Sequence, residues 1–294
     1  MKAEPLIALG STLRVLRPAP KIRAFYDGRI AGRRVHAATE NWLDDAAFAL
    51  GICSYAVVDG GEALVYDTHV SLAHARAIRA VLAAEGAVIR YVVLSHWHVD
   101  HVAGNAAFTD CPIVASARTA ELLAAHRGEL EAGDPPIRSL VLPTRTFDDA
   151  LDLVVGSTPV ALRRFEIHSP DATVALVDDL LLAGDTLEDP VTWLDEPERL
   201  AIHLAELDRL AGLDFARILP AHGAAETIAA GGYGRGLVAA ARRYGARLLT
   251  GEAEPSLAAV AAEDFATGAI GYFAPYETVH RQNLARLRAS RATP

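Results

Sequence analysis

The segment Leu94-Ser95-His96-Trp97-His98-Val99-Asp100-His101 constrains this chain more than any other. Three histidines and one aspartate fall within six residues. They directly follow residues 89–94, a largely apolar run of the kind expected for a strand buried on both faces. With 11 histidines in 294 residues, chance would give this pattern in roughly one such chain per thousand. Imidazole is the commonest protein ligand for zinc-like ions, and carboxylate suits them as well. If the loop is extended, His96 and His98 point the same way, because side-chain direction repeats every two residues. Asp100 and His101 then open a helical turn and aim elsewhere. One loop can therefore feed two adjacent metal positions.

Two further histidines stand where strand-like runs end. His168 follows the run 160–167, and His222 follows 217–219 by way of Pro220-Ala221. Between them, the apolar run 180–183 ends in Gly184-Asp185-Thr186. In open α/β sheets ligands gather at the carboxyl ends of strands, so these four positions can converge.

The rest of the chain supports a folded α/β enzyme. A chain of 294 residues can bury a full core without disulfides. Its 51% hydrophobic content excludes a disordered chain. No apolar run reaches the roughly 18 residues of a membrane span. Near the N-terminus, Glu4, Pro5 and Arg14 interrupt the apolar stretch, and no cleavage site follows, so no secretory signal is expected. Cys53 and Cys111 are too few for a disulfide framework, which points to a reducing compartment, the cytoplasm. A net charge of −9 disfavours nucleic acid as a partner. Arg235, Arg242, Arg243, Arg247, Arg281, Arg286, Arg288 and Arg291 nevertheless enrich the last sixty residues. They read either as solvated helix faces or as a patch that draws an anionic substrate.

Periodicity predicts a hairpin over 54–59 and 63–67, a helix over 69–84, strands over 89–94 and 112–115, and a helix over 117–130. Strands follow over 151–155, 160–167, 173–177 and 180–183, with a second hairpin at Asp178-Asp179. Then come a helix over 197–210, a strand over 217–219, and helices over 234–249 and 278–290. The recurring order suggests two similar halves in one α/β domain. The expected division is an N-terminal extension (1–30), a catalytic domain (31–225) and a C-terminal helical region (226–294). That last region could cap the pocket or form a homodimer interface.

His96–His101, His168, Asp185 and His222 together resemble the ligand set of the metallo-β-lactamase-fold hydrolases, and the similarity covers about residues 50–225. Val65-Tyr66-Asp67-Thr68 resembles that family's first motif, although His69 stands where the family usually has glycine. The resemblance implies a four-layer αββα sandwich of two pseudo-symmetric halves, here with a C-terminal helical extension. It implies one metal at His96, His98 and His168, a second at Asp100, His101 and His222, and Asp185 bridging both. Two divalent ions are implied, zinc first, with iron or manganese as alternatives. Asp100 would hold a metal-bridging hydroxide and carry a proton, and Asp67 would brace the ligand loop. The bridging aspartate is unlike the cysteine-ligand β-lactamases. It is similar to glyoxalase II, acyl-homoserine-lactone lactonases, metal-dependent phosphodiesterases and RNA-processing relatives.

The implied activity is hydrolysis of a small-molecule ester, thioester, lactone or lactam. The alternatives are a phosphodiesterase or RNA-processing nuclease, and an iron-dependent oxidoreductase of the persulfide dioxygenase type. His69, Trp97 and Trp193 are candidate pocket residues, and Tyr233 and Tyr276 are candidate phenols for an oxyanion. His36, His74, His126, His203 and His280 are read as structural or solvent-facing.

Overall fold

A computed structural model describes residues 7–251 and 254–292; Glu4 and Pro5, on which the expectation of no secretory signal partly rests, lie outside the described residues. Two sheets face each other. The first holds β1 (Arg14–Ala19), β2 (Ile22–Asp27), β3 (Ile52–Asp59), β4 (Glu62–Tyr66), β5 (Val88–Val93), β6 (Ile113–Ser116) and β7 (Arg145–Phe147), in that spatial order. The second holds β8 (Ala150–Val155), β9 (Thr158–Arg164), β10 (Thr173–Val177), β11 (Leu180–Gly184), β12 (Arg217–Pro220) and β13 (Tyr233–Gly234), also side by side in chain order.

The two halves share a plan. In the first, hairpin β3–β4 leads through helix Leu72–Ala84 to β5, which lies parallel to β4. In the second, hairpin β10–β11 leads through helix Leu200–Ala211 to β12, which lies parallel to β11. Strand alternation then assigns the layers. Tyr55, Val57, Leu64, Tyr66 and Val93 face the second sheet and pack with Val155, Leu162, Val174 and Leu181. The intervening Ala56, Ala63, Val65, Val92 and Leu94 face outward under Ala75, Ile78 and Leu82 of the helix Leu72–Ala84. On the far side, helices Leu200–Ala211, Gly236–Thr250 and Tyr276–Ala292 contribute Leu207, Tyr244 and Leu287 to the cluster that includes the second sheet. The result is the αββα sandwich with a C-terminal helical part. Three tyrosines bolt the sheets together: Tyr26, Tyr55 and Tyr66 donate to the carbonyls of Gly223, Pro220 and Thr173.

Several local expectations are corrected. Residues 14–27, expected to precede the domain, form the hairpin β1–β2, and β2 pairs with β3 from Ile22↔Val57 to Asp27↔Ile52. Half of the outer strand β1 is exposed, and an edge strand that carries arginines has little apolar pattern to read. The helix expected over 117–130 is two, Ala117–Ala125 and Arg127–Ala132, separated at His126 where its ring stacks on Trp97. The helix expected from His69 begins at Leu72, where the Ser71 side chain accepts from the His74 amide as an N-cap. Strand β9 stops at Arg164. His168 therefore lies on a tight turn, closed by an isolated bridge between Ile167 and Ser169, and not at a strand end.

Candidate metal centre

The histidine loop leaves β5 extended and then winds into the turn Val99–Val102, for which His98 is the N-cap residue in extended geometry. Asp67, at the end of the neighbouring β4, anchors this loop. Its Oδ1 accepts from the Ser95 amide at 2.7 Å, and its Oδ2 faces His101 Nδ1 at 2.8 Å. Thr68 donates to the His101 carbonyl at 3.0 Å. Asp67, His69 and His168 all have φ of +66° to +67°, a left-handed conformation uncommon for non-glycine residues and frequent at functional sites. The glycine usual at the His69 position thus corresponds to a backbone requirement that histidine meets under strain.

Three distant stretches meet this loop. One ligand atom each from His96, His98, His168 and Asp185 lie within 4.8 Å of one another, and so do atoms of Asp100, His101, Asp185 and His222. Asp185 belongs to both groups. Its Oδ2 is 3.6 Å from His96 Nε2, 3.3 Å from His101 Nε2, 3.6 Å from His168 Nε2 and 3.5 Å from His222 Nε2. His98 Nδ1 and His168 Nε2 approach to 3.0 Å. Asp100 sits on the far side, with Oδ2 3.3 Å from His222 Nε2.

The ring nitrogens divide into an outer and an inner set. The outer ones have protein partners: His96 Nδ1 with Ser95 Oγ, His98 Nε2 with Asp195, His101 Nδ1 with Asp67, His168 Nδ1 with the Trp193 carbonyl, and His222 Nδ1 with the Gly51 carbonyl. Of the inner atoms, His96 Nε2, His101 Nε2 and Asp185 Oδ1 are buried without a hydrogen-bond partner. A buried polar atom without a partner is costly, and a divalent cation at each of the two groups would give His96 Nε2, His101 Nε2 and the Asp185 carboxylate a partner. This is the arrangement expected when outer partners fix the tautomer of metal-ligating histidines. The residues fit divalent metal.

Electrostatics without an ion show the same tension. Burial opposes charge on His101 and His222, but Asp185 and Asp100 outweigh it and push both pKa values well above the ordinary range. Burial, helped by the neighbouring imidazoles, pushes His96 well below it, and burial lowers His168 to about 4. Burial would raise Asp185, yet His101 and His222 hold it well below the usual carboxylate range.

The pocket candidates separate. Trp193 lies beside the first group, with ring centroids 6.5 Å from His98 and 6.4 Å from His168. Trp97 meets the His98 ring edge-on at 4.9 Å. His69 lies outside both groups: it is fully buried and stacks on His74 at 4.2 Å. The two phenols are turned to carboxyls and not to an open oxyanion position: Tyr233 donates to Asp189, and Tyr276 to Glu188. Among the histidines read as structural, His36 pairs with Asp134, His74 with Asp27, and His280 with Tyr244.

Sequence reading overlooked Glu188 and Asp195. Burial raises Glu188 to about 8 although Trp193 N and Tyr276 Oη both bond it. Neither residue stands in a recognisable spacing; only the proximity of Glu188 to Asp185 in the chain offered a signal.

Comparison with known proteins comes after this geometry. Residues 49–222 match the family described as the metallo-beta-lactamase superfamily. A solved metallo-beta-lactamase from Pontibacter korlensis superposes with a TM-score of 0.56 at 17% identity, covering 72% of this chain and 92% of that one. The DIM-1 metallo-beta-lactamase gives 0.55 at 16% identity, covering 72% and 90%. At such identities these likenesses speak to the fold alone. No curated protein matches the sequence.

Proposed function

Since the chain belongs to the metallo-beta-lactamase superfamily and is a metal-dependent hydrolase with a His/Asp metal-binding cluster, we propose that it holds two zinc ions and hydrolyses a small-molecule ester, thioester, lactone or lactam. The observation that carries this reading is the shared position of Asp185 between two four-residue groups. His96, His98 and His168 would hold one ion, Asp100, His101 and His222 the other, and Asp185 both. Nitrogen-rich sites with carboxylates suit zinc.

When bound, such a pair of ions supplies a water acidified toward neutral pH and an electrophilic clamp on the scissile group. The chain's own residues do the rest. Burial would raise Asp100, but His101 and His222 hold its pKa below the ordinary carboxylate value, so its carboxylate is ionised. That places Asp100 to take a proton at its carboxylate oxygens and return it to the leaving group. Asp67, Ser95, Asp195, and the carbonyls of Gly51 and Trp193 orient the histidine rings. His98 is the half-buried member of an otherwise buried set, so the approach lies on its side, between Trp97 and Trp193. A substrate entering there meets aromatic surface before the metal centre.

The arginine-rich C-terminal region supports a small molecule over a nucleic acid. Arg242, Arg243 and Arg286 pair with Asp208, Asp264 and Asp195. Arg235, Arg247 and Arg291 bond backbone carbonyls, and Arg281 bonds Thr278. These side chains are engaged within the fold and do not stand as a bare cationic patch. Among the described residues no helix is long and apolar enough to cross a membrane.

The test joins metal content to a substrate panel of nitrophenyl acetate, lactones and bis-nitrophenyl phosphate. Two zinc ions per chain and acyl hydrolysis that disappears in His96→Ala and Asp185→Ala are expected. Preference for the phosphodiester, or iron with oxygen uptake, would overturn the substrate reading. Full metal content and full rate in both variants would overturn the site assignment.

A further inference from the structure

We propose that the C-terminal helix Tyr276–Ala292 positions one of the two ion sites and not the other: through Asn283 and Arg286 it fixes segment 192–195, whose backbone and carboxylate orient His168 and His98. The inference rests on the two-ion reading above and adds a role for residues that lie outside the family-matched range 49–222.

The segment is held at three points. Asn283 Oδ1 accepts from the Leu194 amide at 2.9 Å, and Asn283 Nδ2 donates to the Thr192 carbonyl at 3.0 Å. Asn283 is itself fully buried and also bonds the Tyr244 hydroxyl. One turn further along the helix, Arg286 reaches both the carbonyl and the carboxylate of Asp195. The same guanidinium lies over the Trp193 ring, 4.7 Å from its centroid. Such a stack is stabilising, and a planar guanidinium suits it better than an ammonium would.

From the other side, this segment faces the first group of metal-site residues. The Trp193 carbonyl accepts from His168 Nδ1 at 3.0 Å. Asp195 Oδ2 stands 3.5 Å from His98 Nε2. Each contact keeps a proton on the outer nitrogen and leaves the inner one, His168 Nε2 or His98 Nδ1, free to ligate. The outer ring nitrogens of the second group have their partners elsewhere. His101 leans on Asp67 and His222 on the Gly51 carbonyl, both within the first half of the fold. Two of the three histidines of one group are thus held by way of the C-terminal helix, and neither histidine of the other group is.

Asp195 and Arg286 are positioning residues, and the measurement is ion affinity, independent of turnover. Metal-stripped full-length protein would be titrated with zinc against a chromophoric chelator. Asp195→Asn and Arg286→Met are expected to weaken one ion by about 10- to 100-fold, the range for lost supporting partners, and to leave the other unchanged. Arg286→Lys should recover part of the loss, because an ammonium can reach Asp195. Arg281→Met, on the same helix, should have no effect. In zinc-loaded wild type, nitrogen-15 shifts of the His98 ring should show the proton on Nε2, and Asp195→Asn should perturb them. This second readout does not require Arg286→Met to fold. Wild-type affinity at both ions in Asp195→Asn and Arg286→Met, equal weakening of both ions, or a proton on His98 Nδ1 in wild type would overturn the inference alone. A wild-type chain that holds fewer than two zinc ions would overturn the two-ion reading, and this inference with it.

Discussion

His203 gives a quantitative test of how the second half of the fold is packed. It lies on helix Leu200–Ala211, is 3% exposed, and its Nε2 has no hydrogen-bond partner. It lines a cavity of about 30 Å³ together with Ile167, His168, Thr192, Leu204 and Tyr244. Burial, with smaller contributions from His168 and Arg199, lowers its pKa from 6.5 to about 4. Between those values the unfolded chain binds a proton that the native chain refuses. Stability from this group is therefore complete above about pH 6.5 and is lost as pH falls toward 4. The full loss is about 3 kcal/mol, since a tenfold change in proton affinity is about 1.4 kcal/mol. By pH 5 about 2 kcal/mol of it is gone. His203→Leu places an apolar side chain among leucines and removes the titration. Urea unfolding of metal-stripped wild type and variant, at pH 7 and pH 5, isolates the effect, because other titrating groups cancel in the difference. The variant should gain about 2 kcal/mol on wild type between the two pH values. Equal acid losses in the two proteins would refute the claim that His203 is buried neutral.

Three other outcomes follow from the metal centre. Asp185→Asn should bind both ions more weakly by more than about 100-fold, beyond what loss of a supporting partner produces, as read by chelator competition; loss of a single ion would contradict its shared position. Gly184→Ala should destabilise the protein by about 2–3 kcal/mol. Gly184 has φ of +54°, and an added Cβ would lie 2.8 Å from Ser95 Cβ; an unchanged urea midpoint would refute this. Chelator treatment should lower the thermal midpoint, because each ion held at about a thousandfold above its dissociation constant stabilises the native state by about 4 kcal/mol. A midpoint insensitive to chelator and to added zinc would show that the native state binds no ion.

The residues that the structure gathers into two candidate metal groups were legible in the sequence because their chemistry is local. His96, His98, Asp100 and His101 fall in one loop, and an extended stretch followed by a helical turn sorts them into two directions wherever the rest of the chain goes. Strands β3, β4, β10 and β11 were legible for a similar reason: buried on both faces, they are near-continuous apolar runs, whereas β5, expected to be buried throughout, is buried only at Val92 and Val93. The repeat of hairpin, helix and parallel strand followed from their order.

What the sequence by itself determined was the set of side chains able to hold metal and the two-half plan that carries them. The tertiary structure alone decided their supports. Strand β1 joins the first sheet as a partly exposed edge, which leaves little trace in its composition, and β2 is buried by pairing between β1 and β3. Tyr233 and Tyr276 turn to Asp189 and Glu188, and Asp195, which faces His98, is bonded by Arg286, 91 residues later. Such contacts join residues far apart in the chain, and their geometry is set by the packing of a helix on a loop. No local spacing encodes that packing.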